Sequence, residues 1–193
     1  MVLTHKFNEA LSMAVELHDG QTRKGTQVPY VSHLLGVCAI VLDCGGDEDE
    51  AIAALLHDAV EDQGGAPTLA RIRLSFGDHV AEIVDGLSDA YGQRDEPKAP
   101  WRERKDAYLA GLPHHSKSAL LVSAADKLYN ARSILRDYRE LGEDVWSRFN
   151  GGRDGTLWYY RTLLEALEVD GPAILVREFR RVVEEIEALA AGA

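Results

Sequence analysis

Residues 53–62, with the sequence AALLHDAVED, join an apolar run to a cluster of ionisable side chains. On a helix with about 100° per residue, the apolar residues fill one side of this segment. With His57 as the origin, Glu61 lies at about 40° and Asp58 at about 100° on the other side. Asp62 follows on the same side, at about 140°. We therefore predict one helix here, with a buried apolar face and an opposite face that carries a histidine and three carboxylates.

This charged face has two interpretations. The simpler one is a solvated face on an ordinary surface helix. However, four ionisable groups this close repel one another and are costly to desolvate unless a cation lies among them. The alternative is therefore one half of a metal site, with two carboxylates left over for acid–base chemistry.

Length and composition fit one domain with a sizeable core, because 46% of the 193 residues are hydrophobic. The net charge of −11 argues against a nucleic-acid polymer or an anionic membrane as partner, but it is compatible with a single nucleotide. No apolar run approaches the roughly 20 residues that cross a bilayer, and the first residues contain no signal-peptide core. Cys38 and Cys44 do not form a CxxC pair, so we interpret them as buried apolar residues. We predict a single cytoplasmic domain over residues 1–193.

Apolar residues recur at helical spacing along most of the chain, and no run shows the alternation typical of a strand. The pattern predicts an all-α fold, a single bundle of roughly eight to eleven helices. Besides the central segment, we expect helices at residues 4–18, 30–44, 101–112, 117–136, 142–150 and 157–169, a short one capped by Thr68, one containing Val80 and Leu87, and a last one opened by Pro172. Residues 88–100 are polar, contain two prolines and are predicted to form a loop over a cleft.

Candidate metal ligands remain once other catalytic motifs are excluded. The sequence has no serine-hydrolase, P-loop or dinucleotide-binding motif. Four residues on three predicted helices stand out: His33, His57, Asp58 and Asp126. Two imidazoles and two carboxylates suit Mn²⁺, Fe²⁺ or Zn²⁺ and suit Ca²⁺ or Mg²⁺ poorly. Water on such an ion loses a proton readily, and Glu61, one turn after His57, could accept or orient that proton. The alternative is a core histidine at His33 and a capping or salt-bridge role for Asp126.

Two groups of cationic residues are conspicuous in this acidic chain. Arg23 and Lys24 lie in a polar loop, where they either solubilise the loop or contact phosphate. Residues 101–112 are predicted to form a basic helix that contains Arg104 and Lys105. Because an anionic ligand needs a cationic entry, these residues are candidate phosphate contacts.

The order of a histidine, a His-Asp pair and a distant aspartate resembles the HD-domain superfamily of metal-dependent phosphohydrolases. Four blocks extend the resemblance: HDGQTRK at 18–24, PYVSH at 29–33, LLHDAVED at 55–62 and ADKLYN at 125–130. Together they look like the hydrolase domain of Rel/Spo-type enzymes, which degrade the guanosine alarmones ppGpp and pppGpp. Since the sequence shows no synthetase domain, the chain is similar to the free-standing small alarmone hydrolases.

The resemblance implies a role for each matching residue. It implies a metal ion, usually Mn²⁺, bound by four residues: His33, His57, Asp58 and Asp126. Glu61 and Asp62 match the pair that activates the attacking water. Arg23 and Lys24 match a loop that contacts the nucleotide, and Asn130 matches a pocket residue near the ribose.

The implied reaction is hydrolysis of the 3′-diphosphate of ppGpp or pppGpp to GDP or GTP and pyrophosphate. Two positions depart from the family's last motif, with Tyr129 where His is frequent and Ala131 where Met or Leu is frequent. These positions bear on base and ribose preference, so a related hydrolase of adenosine alarmones or NADPH is one alternative. A catalytically silent nucleotide-binding module is another, although the intact ligand set argues against it. The expected partner is a small nucleotide, and a homo-oligomer is compatible with the sequence.

Overall fold

A computed structural model describes residues 2–88 and 99–192, and these residues form an all-α fold. Ten α-helices lie in the described part of the chain: α1 (His5–Leu17), α2 (Val31–Asp43), α3 (Glu48–Leu56), α4 (Ala59–Asp62), α5 (Ala66–Phe76), α6 (Asp78–Leu87), α7 (Trp101–Gly111), α8 (Lys117–Leu141), α9 (Gly152–Asp170) and α10 (Ala173–Ala190). Short 3₁₀ helices cover Leu112–His114 and Gly142–Arg148. Within these ranges β pairing is limited to one bridge between Thr22 and Pro29, so the predicted fold class is confirmed.

Helix α3 is the centre of the core. Its residues 51–56 are all buried, and the helix packs against α1, α2, α6 and α8. The helix begins at a capping box, in which the side chains of Asp47 and Glu50 each accept the other residue's backbone N–H. Because α3 is covered by four other helices, side chains at its C-terminal end lie inside the protein.

Helix α8 is the longest element of the described chain, with 25 residues, and it packs against α2, α3, α6, α9 and α10. The side chain of Ser116 caps it by accepting the backbone N–H of Ala119 at 3.1 Å. The helix continues to Leu141, five residues beyond the predicted end. The extension is stabilised by Tyr138, which packs on Trp146 and donates a hydrogen bond to the Leu189 carbonyl in the last turn of α10.

The central segment is not the single helix that the apolar pattern predicted. Helix α3 ends at Leu56, His57 and Asp58 form a turn, and α4 begins at Ala59. Asp58 has φ −92° and ψ −7°, away from regular helical values, although its carbonyl still accepts the backbone N–H of Asp62 at 2.9 Å. The prediction of a continuous helix was therefore wrong, and the interruption falls on the His-Asp pair.

Two other sequence predictions require comment. Thr68 does not cap α5, which begins at Ala66; its hydroxyl donates instead to a carbonyl of the preceding turn at 2.6 Å. The predicted loop at 88–100 falls largely on residues 89–98, which lie outside the described residues. Among the helices of the described chain, none combines the length and the apolar character needed to cross a membrane.

Leu55 provides a test of the central position of α3. Its side chain is fully buried. Leu55→Ala should therefore lower the free energy of unfolding by about 2–5 kcal/mol, because buried apolar atoms are removed and a cavity remains in their place. Leu74 on α5 is 91% exposed and is the matched control, since Leu74→Ala should change this free energy by less than about 0.5 kcal/mol. Urea unfolding followed by circular dichroism measures both. Equal losses in the two variants would contradict the central position of α3.

Candidate active site

Four side chains converge at the C-terminal end of α3. His33 lies in the first turn of α2, His57 and Asp58 lie in the turn after α3, and Asp126 lies on α8. His57 Nε2 is 3.2 Å from His33 Nε2 and 3.0 Å from Asp58 Oδ2. Asp126 Oδ1 is 3.3 Å from His33 Nε2 and 3.7 Å from His57 Nε2. The structure thus brings together the four residues that the sequence singled out as candidate metal ligands.

A hydrogen bond to the backbone determines which ring nitrogen of His57 faces this cluster. His57 Nδ1 donates to the Ala54 carbonyl, in the last turn of α3, at 2.8 Å. The neutral ring therefore presents the lone pair of Nε2 to the cluster, which is the tautomer that a metal ligand needs. His33 also directs Nε2 to the cluster, 3.3 Å from Asp58 Oδ2, while its buried Nδ1 has no hydrogen-bond partner among the described residues.

A second group of side chains holds the two carboxylates in place. Tyr30 Oη donates to Asp58 Oδ2 at 2.6 Å. Lys127 Nζ and Asn130 Nδ2 donate to the two oxygens of Asp126, each at 2.5 Å. Outer partners of this kind orient metal ligands and are part of what sets metal affinity.

Strong electrostatic coupling keeps both carboxylates ionised. Burial opposes ionisation of Asp126, but Lys127 and the two histidines outweigh it and hold the pKa of Asp126 well below its ordinary value. The pKa of Asp58 is also held well below its ordinary value, because His57 and His33 outweigh the effect of burial. Burial disfavours a proton on His57, but Asp58 and Asp126 raise its pKa to about 10. The cluster therefore attracts positive charge, and a divalent cation would satisfy the same carboxylates while displacing that proton.

The donor set fits a divalent transition metal. Two imidazole nitrogens with two carboxylate oxygens are the ligands expected for such an ion. His33, His57 and Asp58 offer ligand atoms that all lie within 4.8 Å of one another. Asp58 is the most accessible of the four, with 24% of its side chain exposed, and it marks the open side of the cluster.

Glu61 and Asp62, the predicted acid–base pair, have different surroundings. Glu61 lines a small cavity beside the cluster, with its Oε1 4.0 Å from Arg104 Nη1. Asp62 Oδ2 instead accepts a hydrogen bond from Gln21 Nε2 at 2.9 Å, and Gln21 Oε1 accepts one from Gln63 at 2.7 Å. Burial raises the pKa of Asp62, and the hydrogen bond from Gln21 opposes it. Glu61 thus faces the cavity, while Asp62 is held in a polar network next to it.

Two cavities lie side by side, and one of them contains the cluster. The smaller, of about 180 Å³, is lined by all four candidate ligands and by Glu61. The larger, of about 680 Å³, is lined by polar and aromatic side chains. Five residues line both cavities, and we call them the shared wall: Arg23, Tyr30, Lys105, Lys127 and Asn130. Because three of the five are cationic, the boundary between the cavities favours an anion.

The predicted substrate residues lie at or near this shared wall. Arg23 Nη2 donates to Asn130 Oδ1 at 2.9 Å, so two of them contact each other. Lys24 lines only the larger cavity, where its Nζ donates to Asn150 Oδ1 at 3.1 Å. Arg104 lines the smaller cavity. The sequence could not assign these cations to one cavity or the other, and their contact with phosphate stays a prediction.

Three residues of the site received no role in the sequence analysis: Gln21, Tyr30 and Lys127. Each lies inside one of the four blocks that carry the family resemblance, so the blocks themselves could have drawn attention to it. For Gln21 and Tyr30 the sequence could not show the contact because the partner is far along the chain, whereas Lys127 contacts the adjacent residue Asp126. Gln21 contacts Asp62, 41 residues away, and Tyr30 contacts Asp58, 28 residues away.

Comparison with known proteins places this site in a family. A family profile described as HD domain matches residues 10–157, which is most of the chain. The chain belongs to the HD-domain family. The resemblance that the four sequence blocks indicated is therefore confirmed.

Relatives of this HD-domain protein include hydrolases of guanosine nucleotides. It is 41% identical over 142 residues to the Xenopus tropicalis guanosine-3′,5′-bis(diphosphate) 3′-pyrophosphohydrolase MESH1, with 72% of this chain and 73% of that protein aligned. It is 30% identical over 131 residues to the Escherichia coli bifunctional (p)ppGpp synthase/hydrolase SpoT, with 67% of this chain and 18% of that protein aligned.

A solved structure extends the similarity to nearly the whole fold. The structure of a metazoan ortholog of SpoT, described as hydrolysing ppGpp, superposes with a TM-score of 0.77 at 28% identity. The superposition covers 96% of this chain and 97% of the other. A second structure, of a Listeria monocytogenes protein, matches with a TM-score of 0.66 at 31% identity and covers 83% of this chain.

Metal content tests the ligand set. We expect purified protein loaded with Mn²⁺ and desalted to retain about one equivalent of metal, and His57→Ala to lose most of it, because the remaining three ligands form an incomplete site. His79→Ala, an exposed histidine on α6, is the matched control and should retain the metal. Elemental analysis measures all three proteins. Equal metal content in His57→Ala and in the unchanged protein would rule out this assignment.

Proposed function

We propose that this HD-domain protein removes the 3′-diphosphate of guanosine alarmones, converting ppGpp or pppGpp to GDP or GTP and pyrophosphate. The observation that carries the proposal is the shared wall, where three cations lie between the ligand cluster and a larger cavity. The volume of the larger cavity, about 680 Å³, is that of a small-molecule site. A nucleotide there can place a phosphate at the wall, next to the cluster. The relatives MESH1 and SpoT, named as hydrolases of this nucleotide, support the same substrate class.

We further propose that the cofactor is one divalent transition metal ion, with Mn²⁺ as the first choice, bound by His33, His57, Asp58 and Asp126. When bound, such an ion lowers the pKa of a coordinated water and offsets charge on the phosphoryl group. The tautomer of His57, set by the Ala54 carbonyl, supports ligation through Nε2. The preference for manganese rests on the resemblance to Rel/Spo-type enzymes.

Glu61 is the proposed proton acceptor. It lies in the small cavity with the candidate ligands, where its carboxylate can take the proton of the attacking water. The water oxygen bonds to the phosphorus next to the ribose 3′-oxygen. The bond from that phosphorus to the 3′-oxygen breaks, the 3′-oxygen takes up a proton, and pyrophosphate is released. Asp62, held by Gln21, keeps the short helix that carries Glu61 in place.

The cations have a binding and electrostatic role in this scheme. Arg23, Lys105 and Lys127 at the shared wall would offset the charge of the 3′-diphosphate. Asn130, which contacts both Arg23 and Asp126, lies where it can orient the ribose between them. Lys24 lies further out, along the larger cavity, and would contact the rest of the nucleotide.

We also infer that residues 1–193 act as one hydrolase domain. The family profile spans residues 10–157, and the metazoan structure superposes on 96% of the chain, which supports this inference. A cytoplasmic location and a homo-oligomeric assembly stay predictions from the sequence.

A nucleotide panel tests the substrate class. With saturating Mn²⁺, we expect ppGpp and pppGpp to release pyrophosphate with the highest kcat/KM, because the cavity and its cations suit a nucleotide with a 3′-diphosphate. The panel also contains the matching adenosine compounds and NADPH. Faster turnover of either would contradict the guanosine assignment and favour a related hydrolase. Binding without turnover in metal-loaded protein would indicate a catalytically silent module.

Two substitutions separate the roles of Glu61 and Asp62. Glu61→Gln should keep the fold, the metal and nucleotide binding, while kcat falls by about 10²–10⁴-fold, the usual contribution of a positioned general base. Asp62→Asn should cost less, because Asp62 acts through its network with Gln21. Glu184→Gln, on the exposed face of α10, controls for the loss of one negative charge.

The measurement is kcat as a function of Mn²⁺ concentration. If Glu61 only balances charge around the ion, Glu61→Gln will need more Mn²⁺ but will recover a normal kcat at saturation. That outcome would remove Glu61 from the role of proton acceptor.

A further inference from the structure

Tyr129 and Asn130, consecutive residues of α8, contact the same guanidinium group. Asn130 Oδ1 accepts a hydrogen bond from Arg23 Nη2 at 2.9 Å. The guanidinium carbon of Arg23 lies 5.6 Å from the centroid of the Tyr129 ring, within the range of a cation–π interaction. Arg23 belongs to the shared wall, and Tyr129 lines the larger cavity. Tyr129 therefore contacts a cation at the boundary between the two cavities.

The Tyr129 ring occupies a notch in α2 that Gly36 provides. A Cβ atom at residue 36 would lie 2.0 Å from Cε2 of the ring and 2.5 Å from Cδ2, so a side chain cannot coexist with the ring in this position. Tyr129 Oη also donates to the Ser32 carbonyl at 3.2 Å. The ring packs against His33, with the two centroids 5.1 Å apart. These contacts fix the ring against the helix that carries a candidate metal ligand.

A fixed ring is important because Arg23 is a long side chain whose ordering costs conformational entropy. Asn130 supplies one hydrogen bond to it, and the amide nitrogen of Asn130 is already bonded to Asp126 at 2.5 Å. A single hydrogen bond leaves the guanidinium plane free to turn about that bond. The face of an aromatic ring restricts this rotation, so Tyr129 supplies a second and independent constraint.

We propose that Tyr129 is a positioning residue that, seated on Gly36, holds the guanidinium of Arg23 at the shared wall. The consequence for catalysis rests on the proposed function, in which Arg23 meets a phosphate group of the nucleotide. Gly36 lines neither cavity, yet it acts on Arg23 because it leaves room for the ring. Residues 36 and 129 are therefore coupled, and enlarging the first has the same effect on Arg23 as removing the second.

Chemical labelling of Arg23 tests the positioning without any substrate. Phenylglyoxal modifies accessible guanidinium groups, and the rate at Arg23 is read by mass spectrometry of its peptide. We expect Tyr129→Leu and Gly36→Ala to raise this rate several-fold, because the guanidinium loses its ring contact. Tyr129→Phe keeps the ring face and should stay within about twofold of the unchanged protein. Equal rates in Tyr129→Leu and the unchanged protein overturn the proposal.

A matched glycine and a double variant exclude a general packing effect. Gly86 on α6 is the control, because among the described residues a Cβ there would meet only Ala119 Cβ, at an ordinary 3.8 Å. Gly86→Ala should leave the labelling of Arg23 unchanged. In Gly36→Ala combined with Tyr129→Leu, the ring atoms that collide are absent, so labelling should match Tyr129→Leu alone. A further increase in the double variant contradicts the coupling. If Gly36→Ala does not fold, the comparison of Tyr129→Leu with Tyr129→Phe decides the proposal.

Kinetics with ppGpp and Mn²⁺ then connects the position of Arg23 to nucleotide binding. Tyr129→Leu should raise KM by roughly 2- to 30-fold, the range of a cation–π contact, with a smaller change in kcat. In the Arg23→Ala background it should add nothing, since the group it positions is gone. An increase in KM that persists in that background overturns the proposal. Absence of ppGpp turnover in the unchanged protein would contradict the proposed function, and the labelling result would still decide the role of Tyr129.

Discussion

The pairing of two carboxylates with two imidazoles at the end of α3 is the constraint on which the rest of the structure depends. Ionised carboxylates are costly to bury, and here a tyrosine hydroxyl, a lysine and an asparagine amide offset that cost together with the histidines. These partners come from α2, the turn after α3, α8 and the loop before α2. Apolar packing around α3 holds the helices together, whereas the charged cluster specifies how they must align.

Apolar spacing was sufficient to predict an all-α fold because burial imposes a helical period on residues of each element. It could not reveal the interruption at His57 and Asp58, since the altered dihedral angles of the single residue Asp58 barely shift the apolar pattern around it. The end of α8 was misplaced for a different reason. Its last turn is stabilised by contacts of Tyr138 with Trp146 and with α10, and such tertiary contacts leave no periodic signal.

The candidate ligands were identifiable from the sequence because residue type and order carry their chemistry. Supporting residues such as Tyr30 were not identifiable, because their roles depend on contacts with residues far away in the sequence. Arg23 is 107 residues from Asn130 in sequence, and the two are hydrogen-bonded. Gly36 is the clearest case. Within an apolar helix a glycine reads as a weak helix former, and only the position of the Tyr129 ring explains why a larger residue does not fit.

The hydrogen bond from His57 to the Ala54 carbonyl has a consequence for protein engineering. A carbonyl near the end of α3 is satisfied by the side chain of a candidate ligand. The same hydrogen bond therefore caps the end of the helix and orients the ligand. A designer who rewrote residues 48–62 as an uninterrupted helix would gain regularity and intrinsic helix propensity. In such a helix the backbone N–H of residue 58 would compete with the imidazole for the Ala54 carbonyl. Local irregularity is here a functional asset, and a sequence optimised for thermal tolerance should leave it intact.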